Sequence, residues 1–226
     1  MNTTAKPGYG WKRAVAVAAA ITPLLTLTTL RGNAPAAPLY AQNFDQAAEG
    51  NPPAGIMILN GTATVKKVDG NGVLEMSPDP LDSHGILFGP QDKSDYTVSA
   101  RVQASATGKR FPEFGAGAYG PGQYRLWVMP AVGEVQLYKG DEVKGTAKYA
   151  WTSGTWTRLK LRVQKTADGK VKVEGKAWPD GQTEPKDWTL TFVDAEAPQT
   201  GRACLLSTPY SGQPTRFDDI VVAVEK

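Results

Sequence analysis

The run Tyr96-Thr97-Val98-Ser99-Ala100-Arg101-Val102-Gln103-Ala104-Ser105 alternates apolar with polar side chains along its whole length. Successive side chains of an extended chain point to opposite faces, so this spacing predicts a strand with one face buried and one wet. On either side the pattern recurs. Thr157, Leu159, Leu161 and Val163 alternate with Trp156, Arg158, Lys160, Arg162 and Gln164, and Val171 and Val173 with Lys172 and Glu174. Arg216, Asp218, Ile220 and Val222 alternate with Phe217, Asp219 and Val221. Clusters such as Asp69-Gly70-Asn71-Gly72, Ala167-Asp168-Gly169-Lys170 and Pro179-Asp180-Gly181 separate these runs and supply the residues that accept positive φ in turns.

Strands are expected near 41–45, 56–59, 63–68, 73–77, 85–89, 96–105, 114–119, 124–129, 134–138, 145–149, 157–165, 170–178, 188–193, 202–207 and 215–224. No amphipathic helix and no βαβ alternation interrupts them. The expected fold is therefore all-β, two antiparallel sheets packed face to face in a jelly-roll sandwich, without the internal repeat of a propeller or solenoid.

The chain carries 25 Lys and Arg against 22 Asp and Glu. Residues 1–41 hold Lys6, Lys12, Arg13 and Arg31 and no acid; removing these leaves 21 basic against 22 acidic residues, a net charge of −1. The basic excess belongs to the leader, so no global charge argues for nucleic acid as a partner. Within 1–41, a polar start ending in Lys12-Arg13, an apolar stretch Ala14–Leu30 and small residues around Ala34-Pro35-Ala36 form a secretory signal pattern. Cleavage is expected after Ala36 or Ala41, leaving one domain over 42–226, secreted or periplasmic, without membrane attachment; an uncleaved anchor is the alternative. Oligomeric state has no sequence signal. Cys204 is the one cysteine, so no internal disulfide forms, and its place in an apolar run reads as a small buried hydrophobe.

Several short motifs carry a family resemblance. They are Phe44-Asp45 followed by Glu49-Gly50-Asn51-Pro52-Pro53-Ala54-Gly55, then Trp151-Thr152-Ser153-Gly154-Thr155-Trp156, Val173-Glu174-Gly175-Lys176-Ala177-Trp178 and Phe217-Asp218-Asp219-Ile220-Val221-Val222. An opening Phe-Asp, a central W-x-x-G-x-W-x-x-L and a closing FDDI resemble the concanavalin A-like lectin/glucanase jelly rolls, nearest the laminin-G-like and 3-keto-disaccharide hydrolase-like domains of secreted bacterial proteins. The resemblance implies fold more than function, because that superfamily holds lectins, carbohydrate-binding modules, glycosidases and adhesive domains.

Glycosidases on this fold place acids two residues apart on one strand. No Glu-x-Asp-x-x-Glu or Glu-x-Asp-x-Glu occurs, and Glu113, Glu134 and Glu174 stand alone. His84 is the only histidine, read as a turn or edge residue, and Gly115-Ala116-Gly117-Ala118-Tyr119-Gly120 leads into Pro121-Gly122 rather than a helix, which removes a dinucleotide site. Assigning Leu126, Val128, Val135 and Leu137 to the core exposes Arg125, Trp127, Gln136 and Tyr138; the same logic exposes Arg101 and Gln103, and Lys172, Glu174, Lys176 and Trp178. Sugars stack their C–H faces on aromatic rings while charged and amide groups meet the hydroxyls. If these strands share one sheet face, Trp127, Tyr138 and Trp178 form a platform, Glu174 meets hydroxyls, and Arg101, Arg125 and Lys176 favour an acidic polymer. The alternative is that loops cover the tryptophans and the charges solvate an outer sheet. Tyr210 is a secondary candidate in a loop, and Trp151, Trp156 and Trp188 are expected to pack at strand ends.

The resemblance also implies a structural calcium where the terminal strands meet, with Asp45 and either Asp218 or Asp219 as ligands; regular alternation sends the last two to opposite faces. Its alternative is a hydrogen-bonded carboxylate closing those strands. The expected function is thus non-catalytic binding of a glycan or other extracellular polymer. A glycosidase acting on a glycan or disaccharide and an adhesive module with no small ligand are its rivals.

Overall fold

A computed structural model describes residues 1–4, 8, 10, 37–79, 82–91, 95–196 and 200–224. The chain divides into Met1–Pro35 and Ala36–Lys226, and the architecture below is that of the second unit. The leader read in 1–41 lies largely outside the described residues. Among the described residues no helix is long and apolar enough to cross a membrane.

Among the described residues, fifteen strands build two sheets. In chain order they are β1 (Tyr40–Gln42), β2 (Met57–Asn60), β3 (Ala63–Val68), β4 (Asn71–Met76), β5 (His84–Phe88), β6 (Tyr96–Gln103), β7 (Glu113–Ala118) and β8 (Tyr124–Met129). There follow β9 (Glu134–Lys139), β10 (Glu142–Lys148), β11 (Trp156–Lys165), β12 (Val171–Pro179), β13 (Leu190–Asp194), β14 (Ala203–Thr208) and β15 (Thr215–Ala223). One sheet runs β13-β12-β11-β6-β15-β4-β3, with β1 also paired to β15, and is eight-stranded; the other is seven-stranded and runs β10-β9-β8-β7-β14-β5-β2. The strand pairs are antiparallel.

The expected alternation sorts side chains as read. Val98, Ala100, Val102, Leu159, Leu161, Val163 and Val173 from one sheet meet Phe114, Ala116, Leu126, Val128, Val135 and Leu137 from the other in the interlayer core. Turn chemistry sets the register locally. Val68 pairs with Asn71 around Asp69-Gly70, whose φ values of 52° and 82° fit the two-residue hairpin that needs positive φ at both positions.

Two local readings change. His84, expected in a turn or at an edge, starts β5 and is buried at 1% exposure, opposite Ser207 of β14. The alternation over 216–222 is broken by a register shift between Asp218 and Val221, where Asp219 adopts φ 47°. A bulge of this kind turns consecutive side chains toward one face.

Candidate functional site

The sequence-predicted binding residues do not share a face. Arg101, Glu174, Lys176 and Trp178 project from the outer surface of the eight-stranded sheet, whereas Arg125, Trp127 and Tyr138 project from the outer surface of the seven-stranded one. The core lies between the two groups. Period two told inside from outside, but it carries no information about which of two sheets a strand joins.

On the eight-stranded sheet the charges satisfy one another. Arg101 reaches Asp180 at 3.1 Å and Asp219 at 3.1 Å and also pairs with buried Asp218, while its guanidinium lies 4.8 Å from the Trp156 ring centre. Arg158 binds the same Asp180 at 2.5 Å and Asp219 at 3.3 Å. Glu174, 2% exposed, is held by Arg162 and by Lys172 at 2.7 Å. Lys176, 4% exposed, bonds Glu184 at 2.8 Å and donates to the Pro185 carbonyl at 2.6 Å. Trp188 sits over both Arg162 and Lys176, each 4.7 Å from its ring centre. The segment between β12 and β13 therefore straps this face, and Trp178 is 6% exposed. Trp178 is covered, as the alternative reading anticipated for the tryptophans, while Glu174 and Lys176, read as open ligand contacts, are buried in ion pairs rather than solvated.

The residues proposed for calcium are also taken. Asp218 accepts from Asn71 at 2.7 Å, from the Asp219 backbone at 2.6 Å and from Arg101. Asp45 accepts from the Gly72 backbone at 3.0 Å and from Asn43 at 3.0 Å. Asp45 and Asp218 thus clamp neighbouring residues at the start of β4 with hydrogen bonds. The bulge, contrary to regular alternation, lets both Asp218 and Asp219 face Arg101. Among the described residues no three acidic, His or Cys side chains converge as a cage. Two guanidiniums stand where a cation would have to sit, so these residues do not fit calcium. A cavity of 390 Å³ opens beside the bulge, lined by Ala41, Gln42, Asn43, Asp219, Ile220 and Val221. Its polar groups are engaged internally: Gln42 accepts from the Phe44 backbone at 2.7 Å and Asn43 donates to Asp45.

The outer face of the seven-stranded sheet is different in kind. Trp127 packs with Cys204 and Leu206, flanked by Leu87, Met129 and Tyr138, in an apolar patch separate from the interlayer core. Trp127 lies opposite Gly115 and Arg125 opposite Gly117, so β7 presents no side chain beneath them. The Cys204 thiol fills the space over Gly117, where a Cβ would run into it. Burial pushes that thiol up to about 12, which suits the inert packing role expected of it. With 8% of Trp127 exposed, the contact surface is the composite patch rather than a free-standing ring.

Polar groups border the patch along β9. Tyr138 donates to Gln136 at 2.6 Å, Gln136 donates to Glu134 at 2.9 Å, and Lys148 of β10 bonds Glu134 at 3.0 Å. These donors, Gln136 before Lys148, hold the Glu134 carboxylate below its ordinary range. Arg125 lies 5.3 Å from the Tyr138 ring centre, donates to the Gly140 carbonyl and pairs with Asp141 at 3.3 Å.

Across β8 from that row stands Glu113, the functional candidate that sequence reasoning passed over. Phe114 pairs with Val128 and points into the core, which turns Glu113 outward beside Thr208 of β14. Among the described residues nothing bonds or ion-pairs its carboxylate, and burial alone raises its pKa. Glu113 also adds to burial in raising the pKa of Tyr138, which places the two within electrostatic reach. The sequence signal was present: Glu113 precedes core Phe114 by one residue.

The chain matches no protein-family model and no curated protein at a significant level. Among solved structures it resembles the carbohydrate binding module CBM66 from Bacillus subtilis at 14% identity and TM-score 0.52, over 75% of this chain and 95% of that one. It resembles the Emp47p carbohydrate recognition domain at 8% identity and TM-score 0.55, over 83% and 96% of the two chains. A third resemblance is to a marine PL-14 alginate lyase from Aplysia kurodai, at 11% identity and TM-score 0.50, over 84% and 100%. At these identities the likeness is one of fold: the described residues of the second unit form a two-sheet antiparallel jelly-roll sandwich.

Proposed function

We propose that this protein binds a glycan on the outer face of its seven-stranded sheet, as a non-catalytic module. In this reading it works outside the cytoplasm, delivered by the leader of residues 1–41. The observation that carries it is the contrast between the two outer faces. One is closed by its own ion pairs and strap; the other carries half-buried Tyr138 and Met129 over the nearly enclosed Trp127 and Leu206, with Gln136 and Glu113 at the border. An aromatic and apolar patch with a few convergent polar groups is the surface that sugar C–H faces and hydroxyls complement. The carbohydrate binding module and the carbohydrate recognition domain among the fold neighbours support the reading without supplying a ligand. The short motifs that resemble laminin-G-like and 3-keto-disaccharide hydrolase-like domains are in keeping with this reading.

Affinity electrophoresis of the protein through gels containing individual polysaccharides tests it. Retardation that Trp127→Ala abolishes and Trp178→Ala preserves is the expected result. Uniform mobility across a broad panel would remove the reading.

The hydrolase rival has one observation on its side. Met129 pairs with Glu134, and Glu113 stands one strand beyond, so two carboxylates share the face with backbones roughly 10 Å apart. Glu134 is already bonded by Lys148 and Gln136, which leaves it a poor base. Release of reducing ends, lost in Glu113→Gln, would reverse this order.

A further inference from the structure

The charges on the candidate face do not balance locally. Arg125 is committed to Gly140 and Asp141, and Lys148 to Glu134. Glu113 is the carboxylate left over, and no cation among the described residues reaches it. It stands beside the patch of Trp127, Met129 and Tyr138, in surroundings that burial has partly stripped of water. A carboxylate in that position is better satisfied by a charged donor than by a neutral one, since a charge-assisted hydrogen bond is roughly twice as strong.

We propose that the face selects a chain of amino sugars carrying free ammonium groups, with Glu113 the residue that reads the charge. The inference rests on the glycan-binding reading above and names its ligand class. The sugar rings lie on the composite patch of Tyr138, Met129 and the exposed edge of Trp127, a ring ammonium meets Glu113, and Gln136 takes a hydroxyl. Uronate and sulfated chains meet the unpaired Glu113 carboxylate instead and are repelled. This reverses the acidic-polymer expectation, because Arg101 and Lys176, two of the three cations behind it, lie on the other sheet with partners of their own.

Calorimetric titration of the full chain in buffer just below neutrality distinguishes the outcomes. The probes are hexamers of β-1,4-glucosamine, its N-acetylated form, unsubstituted glucose and galacturonate, with hexalysine as a cation lacking sugar. The glucosamine hexamer is expected to bind about tenfold or more tighter than the neutral hexamers, and Glu113→Gln to bring it down to their level. Glu113→Asp, which keeps the charge, is expected to keep part of the preference. Equal binding of charged and neutral hexamers, sensitive to Trp127→Ala, would overturn the amino-sugar inference and leave glycan binding intact. Tightest binding of galacturonate, or of hexalysine regardless of Trp127, would also overturn it. Failure of every hexamer would overturn both.

Discussion

Trp127 and Trp178 project from opposite outer surfaces of the sandwich, one from β8 of the seven-stranded sheet and one from β12 of the eight-stranded sheet. Both are largely covered, Trp127 by neighbours on its own face and Trp178 beneath ionic side chains and a strap. Replacing either with alanine removes a large packed ring, and each is expected to cost about 3 kcal/mol or more of stability. Only Trp127→Ala should also lose glycan binding, whereas Trp127→Phe should retain part of it. Thermal melts and binding measured on the same samples separate the two effects.

Glu113 gives the stability a pH signature of its own. Burial raises its pKa, so the folded state holds the proton more tightly than the unfolded chain. Its contribution is therefore favourable below the ordinary Glu range and declines as pH rises from there through the raised folded value. Glu113→Gln, which cannot ionise, should remove that decline and make the protein more stable at neutral pH. Urea midpoints for both proteins across that window check the sign; a less stable variant at neutral pH would contradict it.

Asp194 has the opposite sign. It is 5% exposed, accepts from the Tyr124 hydroxyl at 2.7 Å and pairs with Lys139 at 2.8 Å, tying β13 of one sheet to β8 and β9 of the other. Burial would raise its pKa, but the bonds from Lys139 and Tyr124 outweigh it and hold the carboxyl low. The stability it contributes is present above the ordinary Asp range and is lost as pH falls through the depressed value. Tyr124→Phe should cost about 1.5–3 kcal/mol near neutrality, the range for a hydrogen bond to a charged group. The deficit should shrink in acid, as equilibrium unfolding would record.

Arg101→Met leaves Asp218, 1% exposed, buried without its cation. Removing one partner of a buried pair is expected to cost about 3–5 kcal/mol. Because Arg101 lies on the face opposite the patch, affinity for a bound glycan should be unchanged. A variant that folds stably but no longer binds would move the site to the eight-stranded sheet.

Cys204 should resist alkylation in the native protein and react fully in denaturant, since its thiol is enclosed and held near 12. Gly117→Ala drives a methyl into that thiol and should both destabilise the protein and speed native-state alkylation.

The alternation in Tyr96–Ser105 and Thr157–Val163 determined, before any coordinates, that these segments are strands and which of their side chains enter the core. A pleated chain leaves no other arrangement once one face must avoid water. The turn at Asp69-Gly70 was equally legible, because so few residues accept positive φ. Only the tertiary structure decided that Arg101, Glu174, Lys176 and Trp178 belong to one surface and Arg125, Trp127 and Tyr138 to the other. Strand order depends on contacts between segments far apart in the chain, and local periodicity does not encode them. The same holds for Glu113: its orientation could be read from its neighbour Phe114, but its lack of a partner is a property of three strands brought side by side.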